Sequence, residues 1–461
     1  MRKTEVDVVV IGAGITGLVT AFNLIQSGKK VVLIDKADRT GGQMETLTDQ
    51  GFVFETGPNT GVLNNVEVIR LFDRLKGQIE AETAKKESKI RLIWKGKSFH
   101  ALPDGLISAI STPLFSFTDK IRICFEPWRA KGTNSMESIA SLTRRRLGKS
   151  FLDYAVDPFI SGVYAGDPDR LVTRFAMRKL YNLEQNYGSF IRGAMKMPHP
   201  VKTAETIKVT KEVFSVPGGF GELSKSITDA ISMEHIRLSV SSVSIEPSEG
   251  DYRWVTTLGY TDEEVFSNHV VTTVPGFALP AILPFADEKA IEAIAAMMYA
   301  PVVQVGVGVI GKEAVRVPQS FGGLVPSCEG KYMLGILFPS SCFENRAPEG
   351  GATLSFFLGG RKRPEIVDWS DEQIRQVVEE ALVSMLGFPE GYKPDALHIF
   401  RHKRAIPQYE ADSEMRLSAI DSLQANHPGL ILAGGIRDGI GLGDRIKQGA
   451  EIAEGIKNSF K

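Results

Sequence analysis

The chain has few cysteines: three in 461 residues, at Cys124, Cys328 and Cys342. Odd in number and far apart, they form neither a disulfide framework nor a zinc pattern, and a reducing compartment suits them best. There is no charge excess either. Lys+Arg total 54 against 55 Asp+Glu, a formal net charge of −1, so nothing favours a nucleic-acid partner. No apolar run of about 18 residues occurs, and no segment is expected to span a bilayer. The start, MRKTEVDVVV, is charged and then strand-like, without the order of regions of a signal peptide. These absences point to the cytoplasm and leave open a peripheral position on the inner face of its membrane. Catalytic side chains are also scarce: there is no Ser/His/Asp arrangement and no evident nucleophile. His398 and His402 would suggest a metal if they lay on a helix. LHIFRHKRAIP, however, reads as a strand followed by a proline, and no metal is expected.

Glycine is plentiful, with 45 residues in a chain that is 43% hydrophobic and 24% charged, a globular composition. At about 100–200 residues per domain, the length predicts two to four lobes. The first glycines follow a continuous apolar run, Val8 to Ile11, which reads as a strand buried on both faces. The turn Gly12-Ala13-Gly14-Ile15-Thr16-Gly17 comes next, then a helical pattern stopped at Gly28, then a second apolar run, Val31 to Ile34, ending in Asp35 and Lys36. This is a βαβ unit with a dinucleotide fingerprint. One glycine makes the tight turn, one admits pyrophosphate to the backbone, and one lets helix pack on strand. The helix N-terminus offers N–H groups to phosphate, and Asp35 can accept from a ribose. The continuation DKADRTGGQMET adds Arg39, Gly41, Gly42 and Gln43, a counter-charge and a second close-approach point that favour FAD over NAD.

Near the far end, GLILAGGIRDGIGLGDRIKQG repeats the pattern. Leu430 to Ala433 reads as a strand, Gly434 and Gly435 break it, and Gly439-Ile440-Gly441-Leu442-Gly443 leads into a helix from about Asp444. Such a helix could face the flavin ring and stabilise charge on its reduced form. Mid-chain, FSVPGGFGELSKSITDAI reads as a turn and a helix, followed by strands in IRLSVSSVSIEPSEG, YRWVTTLGY and SNHVVTTVPG.

Several longer stretches resemble the protoporphyrinogen oxidase family of the flavin-containing amine oxidase superfamily. They are GFVFETGPNTG, KIRLIWKGKSFHALP, TRRRLGKSFLDYAVDPFISGVYAGDPDRL, LYNLEQNYGSFIRGAM, SFGGLVPSCEG and RAIPQY. The resemblance runs nearly end to end, and SGVYAGD with LEQNYGSFIRG are its most specific parts. It implies an α/β fold in three pieces. A split Rossmann-like FAD-binding domain would comprise 1–85, 212–275 and 420–461. A mainly helical, membrane-associating lobe would be 86–211, and an α+β substrate domain 276–419. It further implies oxidation of protoporphyrinogen IX by FAD, with dioxygen as acceptor and hydrogen peroxide as product. Coproporphyrinogen III is the alternative substrate, and an amine oxidase or carotenoid desaturase the remoter reading. FAD contacts implied beyond the fingerprint are Gly57, Pro58, Asn59, Thr60, Val243, Gly435, Ile440, Gly441 and Leu442. For the substrate, Arg91 matches a propionate-binding arginine. Phe321, Leu324 and Phe357 match slot-lining positions, and Gly162 matches a glycine near the reacting carbon. Outside the resemblance, Arg91 would read as a surface residue of a hairpin around Lys95-Gly96-Lys97, and Arg144 to Arg146 as a solvated or membrane-facing helix surface. Departures include Asp35 where Glu is common, Gln43 after the glycine pair, and Arg437 before the last turn. Homodimerisation stays open.

Overall fold

The computed structural model describes residues 2–103, 108, 111–198, 203–259, 263–437 and 439–459. Parts of PDGLISAI and of the connection KMPHPVKTAE, and Asp438 of the last glycine turn, lie outside the described residues. The organising element is a parallel five-stranded sheet. Its spatial order is Ile236–Arg237, Val31–Ile34, Val8–Ile11, His269–Thr272, Leu430–Leu432. Numbered along the chain, that is 3-2-1-4-5, the doubly wound arrangement with its switch point between Val8–Ile11 and His269–Thr272. The apolar runs explain the burial. Val8, Val10 and Leu33 point into one core with the helices Ile15–Ile25, Phe220–Ile231 and Leu442–Ser459. Val9, Ile11, Val32 and Ile34 point into a second core on the opposite face. Period-2 alternation in all-apolar strands thus supplies both layers.

A seven-stranded sheet forms the second body, in the order Ala396–Pro407, Tyr299–Ile310, Gly351–Gly359, Met333–Leu337, Gly322–Leu324, Arg91–Lys95, Ser98–Ala101. The hairpin from Arg91 to Ala101 lies within the stretch expected to be helical, and it extends this sheet by pairing Arg91 with Gly322 and Ile93 with Leu324. One face, with Trp94, Val303, Val305, Phe356 and Leu358, is a core. The helix Asp371–Leu386 packs there, opened by a Ser370–Gln373 capping box and closed by Gly387 at φ +72°.

The lobe between the sheets is helical at Ile139–Arg146, Asp157–Tyr164, Arg178–Tyr187 and Phe190–Lys196. The expected solvated arginine face is not what forms. Arg144 does pair at the surface with Asp169, but Arg146 is 0% exposed, held by Glu126 at 2.5 Å, Glu184 at 2.7 Å and the Gly188 carbonyl at 2.7 Å. Successive helical residues point in different directions, so three consecutive arginines cannot share one face. Glu126 also accepts from Ser189 Oγ and Phe190 N, and these bonds hold its carboxyl below the usual range against the opposing cost of burial. Among the described residues no helix is long and apolar enough to cross a membrane.

Candidate active site

The fingerprint turn has the geometry its glycines require. Gly12 sits at φ +101°, its N–H bonded to Ile34 O at 2.8 Å. A Cβ on Gly17 would lie 1.9 Å from Gly12 O, so only glycine lets the helix start this close to the turn. A Cβ on Gly14 would meet nothing within 4 Å, and the helix it caps has no side-chain cap hydrogen bond. The N-terminal N–H groups therefore face open space bounded by backbone. Thr16 and Ile15 turn inward; Thr16 Oγ1 donates to Arg445 O at 3.3 Å. Asp35 receives Ala13 N at 2.6 Å and Ala37 N at 2.9 Å, tying the acid to the turn, while Lys36 is exposed.

The second glycine pair packs directly on the first. Gly41 N donates to Ala13 O at 2.8 Å, and a Cβ on Gly42 would lie 3.1 Å from Gly14 Cα. Arg39 does not converge with them: its guanidinium is engaged by Glu45 at 2.9 Å and by the Thr40 carbonyl. Val243 begins a strand of the separate sheet Arg2–Glu5, Glu263–Ser267, Trp254–Leu258, Val243–Pro247. Val240, three residues earlier, donates to Asp35 O at 3.1 Å.

The wall beyond Gln43 is made by distant segments. A Cβ on Gly57 would be 2.1 Å from Gln43 O, so Gly57-Pro58-Asn59-Thr60 lies against the glycine pair. Gln43 Nε2 reaches Ala405 O at 3.4 Å. Gly435 lies beside Pro407, and Tyr409 OH donates to the carbonyls of Gly435 and Gly439 at 3.1 and 3.0 Å. Arg445 Nη2 binds the same Gly439 carbonyl at 2.6 Å. Ile440 packs on one core and Leu442 in the other, and the C-terminal helix starts at Leu442, two residues before the expected position.

Thr273, to which the sequence reading gave no role, staples the head and tail turns. Its Oγ1 donates to Gly12 O at 3.0 Å, and its own carbonyl lies 2.7 Å from where a Gly434 Cβ would be. Nor was Glu55 singled out. It is buried, accepts from Phe220 N at 2.8 Å and Thr46 Oγ1 at 2.9 Å, and its carbonyl takes Gln304 Nε2 at 2.6 Å. Burial pushes its carboxyl up to about 7. The only early signal was an acid beside Gly57-Pro58 and a distant Pro-Gly-Gly turn.

This cradle fits a dinucleotide flavin on structural grounds. It has an uncapped helix terminus, two abutting glycine turns, a third at the tail, and a buried Asn59 Oδ1 without a protein partner.

The substrate-side residues also converge. Sheet register places Arg91, Leu324 and Phe357 on one face of the seven-stranded sheet: Arg91 pairs with Gly322, Leu324 with Gly335, and Gly335 with Phe357. Arg91 is exposed, 5.9 Å from the Phe321 ring, and has no ion pair among the described residues. The helix Asp157–Tyr164 crosses this face so closely that a Cβ on Gly162 would be 2.3 Å from Leu324 Cδ2. Phe357, Leu334, Ala405 and Ile406 pack around Ala165, Ala300 and Val302. An apolar strip thus runs from the arginine toward the flavin wall. His398 and His402 are on a strand and take separate partners, Asp49 and Thr56 O. Among the described residues no group of three metal-ligating side chains occurs.

A fold and cradle of this kind define an FAD-dependent oxidoreductase. The chain belongs to the flavin containing amine oxidoreductase family, whose model matches residues 15–438. Within it the chain falls among the protoporphyrinogen oxidases. It is 30% identical to the mitochondrial protoporphyrinogen oxidase of Nicotiana tabacum, with 97% of this chain and 94% of that protein covered. Identity to the human protoporphyrinogen oxidase is 28%, covering 97% and 98%. A coproporphyrinogen III oxidase of Bacillus subtilis is 25% identical over the full length of both. Among solved structures, a provisionally assigned protoporphyrinogen oxidase from Exiguobacterium superposes with a TM-score of 0.80 at 21% identity, covering 99% of each chain. A reduced UDP-galactopyranose mutase gives 0.73 at 16%, covering 98% and 96%.

Proposed function

We propose that this protein oxidises protoporphyrinogen IX to protoporphyrin IX in haem and porphyrin synthesis, with dioxygen as acceptor. Coproporphyrinogen III is the alternative substrate for the same chemistry. The observation that carries this reading is the apolar strip between the FAD cradle and Arg91. When bound, FAD supplies hydride acceptance: three two-electron oxidations remove six hydrogens and reduce three dioxygen molecules to three hydrogen peroxide.

The chain's own residues bind and orient. Gly12, Gly14 and Gly42 bring backbone against the pyrophosphate, and Asp35 meets the ribose. Gly57 to Thr60, Gly435 and Ile440 to Leu442 border the ring system. Arg91 grips a propionate with its planar fork of donors, which sets the angle of the macrocycle as well as its position. Phe321, Leu324 and Phe357 hold the pyrrole rings by apolar and edge contacts. Gly162 lets the helix backbone close over the macrocycle and exclude water. No side chain need act as a strong base, since aromatisation of the product drives the reaction.

The lobe also carries Phe117, Phe125, Trp128 and Met195, of which Phe117 is 76% and Trp128 74% exposed. Lys120, Arg122 and Arg129 are close in sequence. These three turn their head groups inward, to the carbonyls of Thr112 and Arg145, and the exposed aromatic surface docks peripherally at a membrane interface.

The test is direct. Purified protein should be yellow, turn colourless protoporphyrinogen IX into a fluorescent product, and release peroxide in step. A colourless protein that takes up no added FAD, or a flavoprotein not reduced anaerobically by either porphyrinogen, would end the proposal.

A further inference from the structure

The strand Tyr299–Ile310 reads YAPVVQVGVGVI, and Gln304 is its one amide side chain. Gln304 is buried. An amide taken out of water costs free energy unless it is bonded, and here Nε2 donates to Glu55 O at 2.6 Å. On the neighbouring strand, His402 Nε2 lies 2.6 Å from Thr56 O. A carbonyl only accepts, so this nitrogen carries the proton and donates. Two side chains of the seven-stranded sheet thus hold two successive carbonyls of the segment that runs into Gly57-Pro58-Asn59-Thr60.

The register explains why these two residues meet that segment. Gln304 is paired with Phe357 on one side and Phe400 on the other, and His402 is paired with Val302. Residues directly opposite share a face, so both donors stand on the face that carries Phe357 and Leu324. Further along this face, glycines admit the strand Phe52–Glu55. A Cβ on Gly308 would lie 2.7 Å from Phe52 Cε2, and one on Gly306 2.7 Å from Phe54 Cδ1. The contact is apolar up to Gln304 and becomes polar where that strand ends.

A shift of these carbonyls would reach the cradle directly. Thr56 N donates to Glu45 O at 2.9 Å, and a Cβ on Gly57 would be 2.1 Å from Gln43 O, beside the second glycine pair. Apolar layers slide over one another at small cost, whereas a hydrogen bond fixes distance and angle. Gln304 and His402 are therefore the points where the cofactor wall is registered to the substrate sheet.

We propose that Gln304 and His402 are positioning residues, which set the gap between the flavin and the macrocycle by holding the Glu55–Thr60 segment to the sheet. The proposal rests on the porphyrinogen reading above and deepens it. Neither side chain need touch substrate. A misplacement of about 1 Å between reacting groups costs on the order of a hundredfold in rate.

The test uses the FAD-loaded enzyme. Gln304→Met and His402→Phe remove the donors, and His402→Gln keeps one. Anaerobic reduction of the flavin by protoporphyrinogen IX should slow about tenfold to a hundredfold at saturation in the first two variants. The half-saturating concentration should change less than about twofold, because Arg91 and the slot are untouched. His402→Gln should recover most of the rate. In substrate-free protein, the visible circular dichroism of the bound flavin should shift in Gln304→Met and His402→Phe and return toward wild type in His402→Gln. An unchanged rate with unchanged dichroism would overturn the proposal. So would a raised half-saturating concentration at an unaltered limiting rate, which would make these residues substrate contacts. Equal losses in His402→Phe and His402→Gln would also overturn it, because ring shape rather than the donor would then matter. Should Gln304→Met fail to fold, the His402 pair decides. If neither porphyrinogen reduces the wild type, the functional reading fails, and the dichroism still decides whether the two residues hold the flavin wall.

Discussion

Glu55→Gln is the substitution whose consequence can be worked most fully from the structure. In the fold this carboxyl is buried against the turn before helix Phe220–Ile231, where a Cβ on Gly219 would lie 2.8 Å from Glu55 Oε1. Burial raises its pKa from 4.5 to about 7, against the opposing hydrogen bonds of Phe220 and Thr46 and the attraction of Arg346. The sign follows from linkage. Below the unfolded value the acid is protonated in both states and nothing is lost. Above it the unfolded chain releases the proton and the folded chain does not, so stability falls as pH rises and levels off past the folded value. At about 1.36 kcal/mol for each pH step, the full loss is about 3 kcal/mol. Glutamine retains an acceptor for Phe220 N and a donor for Thr46 Oγ1 but cannot ionise. The melting temperature of Glu55→Gln minus that of wild type, read by release of flavin fluorescence, should therefore grow between about pH 5 and about pH 8. On the order of 5 °C is expected for a chain of this size. All other titrations are common to both proteins and cancel in the difference. A difference that is flat, or shrinks with pH, would refute the reasoning.

Arg91→Ala should leave the flavin spectrum unchanged and lower kcat/KM for protoporphyrinogen about tenfold to a hundredfold, the range of one charged hydrogen bond; an unchanged value would remove the propionate role. Gly162→Val should force Leu324 aside, since even a Cβ would sit 2.3 Å from its Cδ2, and should abolish turnover while FAD stays bound. Arg146→Ala leaves Glu126 buried without its cation, while Glu184 keeps Arg145, and should cost about 3–5 kcal/mol in urea unfolding; a loss below about 1 kcal/mol would mean the network is solvated. Phe125→Ser with Trp128→Ser should reduce co-flotation with anionic vesicles and leave turnover of dispersed substrate unaltered.

How much of this was legible in the sequence depended on the range of the interaction. Val8 to Ile11, the glycine turn and Val31 to Ile34 were readable because each is determined by neighbours: apolar run, positive φ, helix pattern. The strand at Leu430 and the helix after Gly441 were readable for the same reason. The hairpin at Arg91 was readable as a hairpin, but not as part of the seven-stranded sheet. Its partner, Gly322 to Leu324, lies more than half the chain away, and nothing local specifies the pairing. The arginine run misled because composition describes a segment while a helix sorts its residues by angle. Arg144 went out to Asp169 and Arg146 went in to Glu126 and Glu184.

Thr273 and Glu55 show the deeper limit, and also why the site is built as it is. Neither belongs to a motif with its own chemistry. Thr273 matters because the sheet order places it between the head and tail glycine turns, where its hydroxyl holds one and its carbonyl closely abuts the other. Glu55 matters because its side chain caps the central helix while its carbonyl takes Gln304 from the substrate sheet. The glycines create space and the long segments bring it together, but glycine cannot hold a position by itself. A cradle made of three distant turns needs side chains that bind backbone across the joins. Those side chains are ordinary residues whose function exists only once the chain has folded.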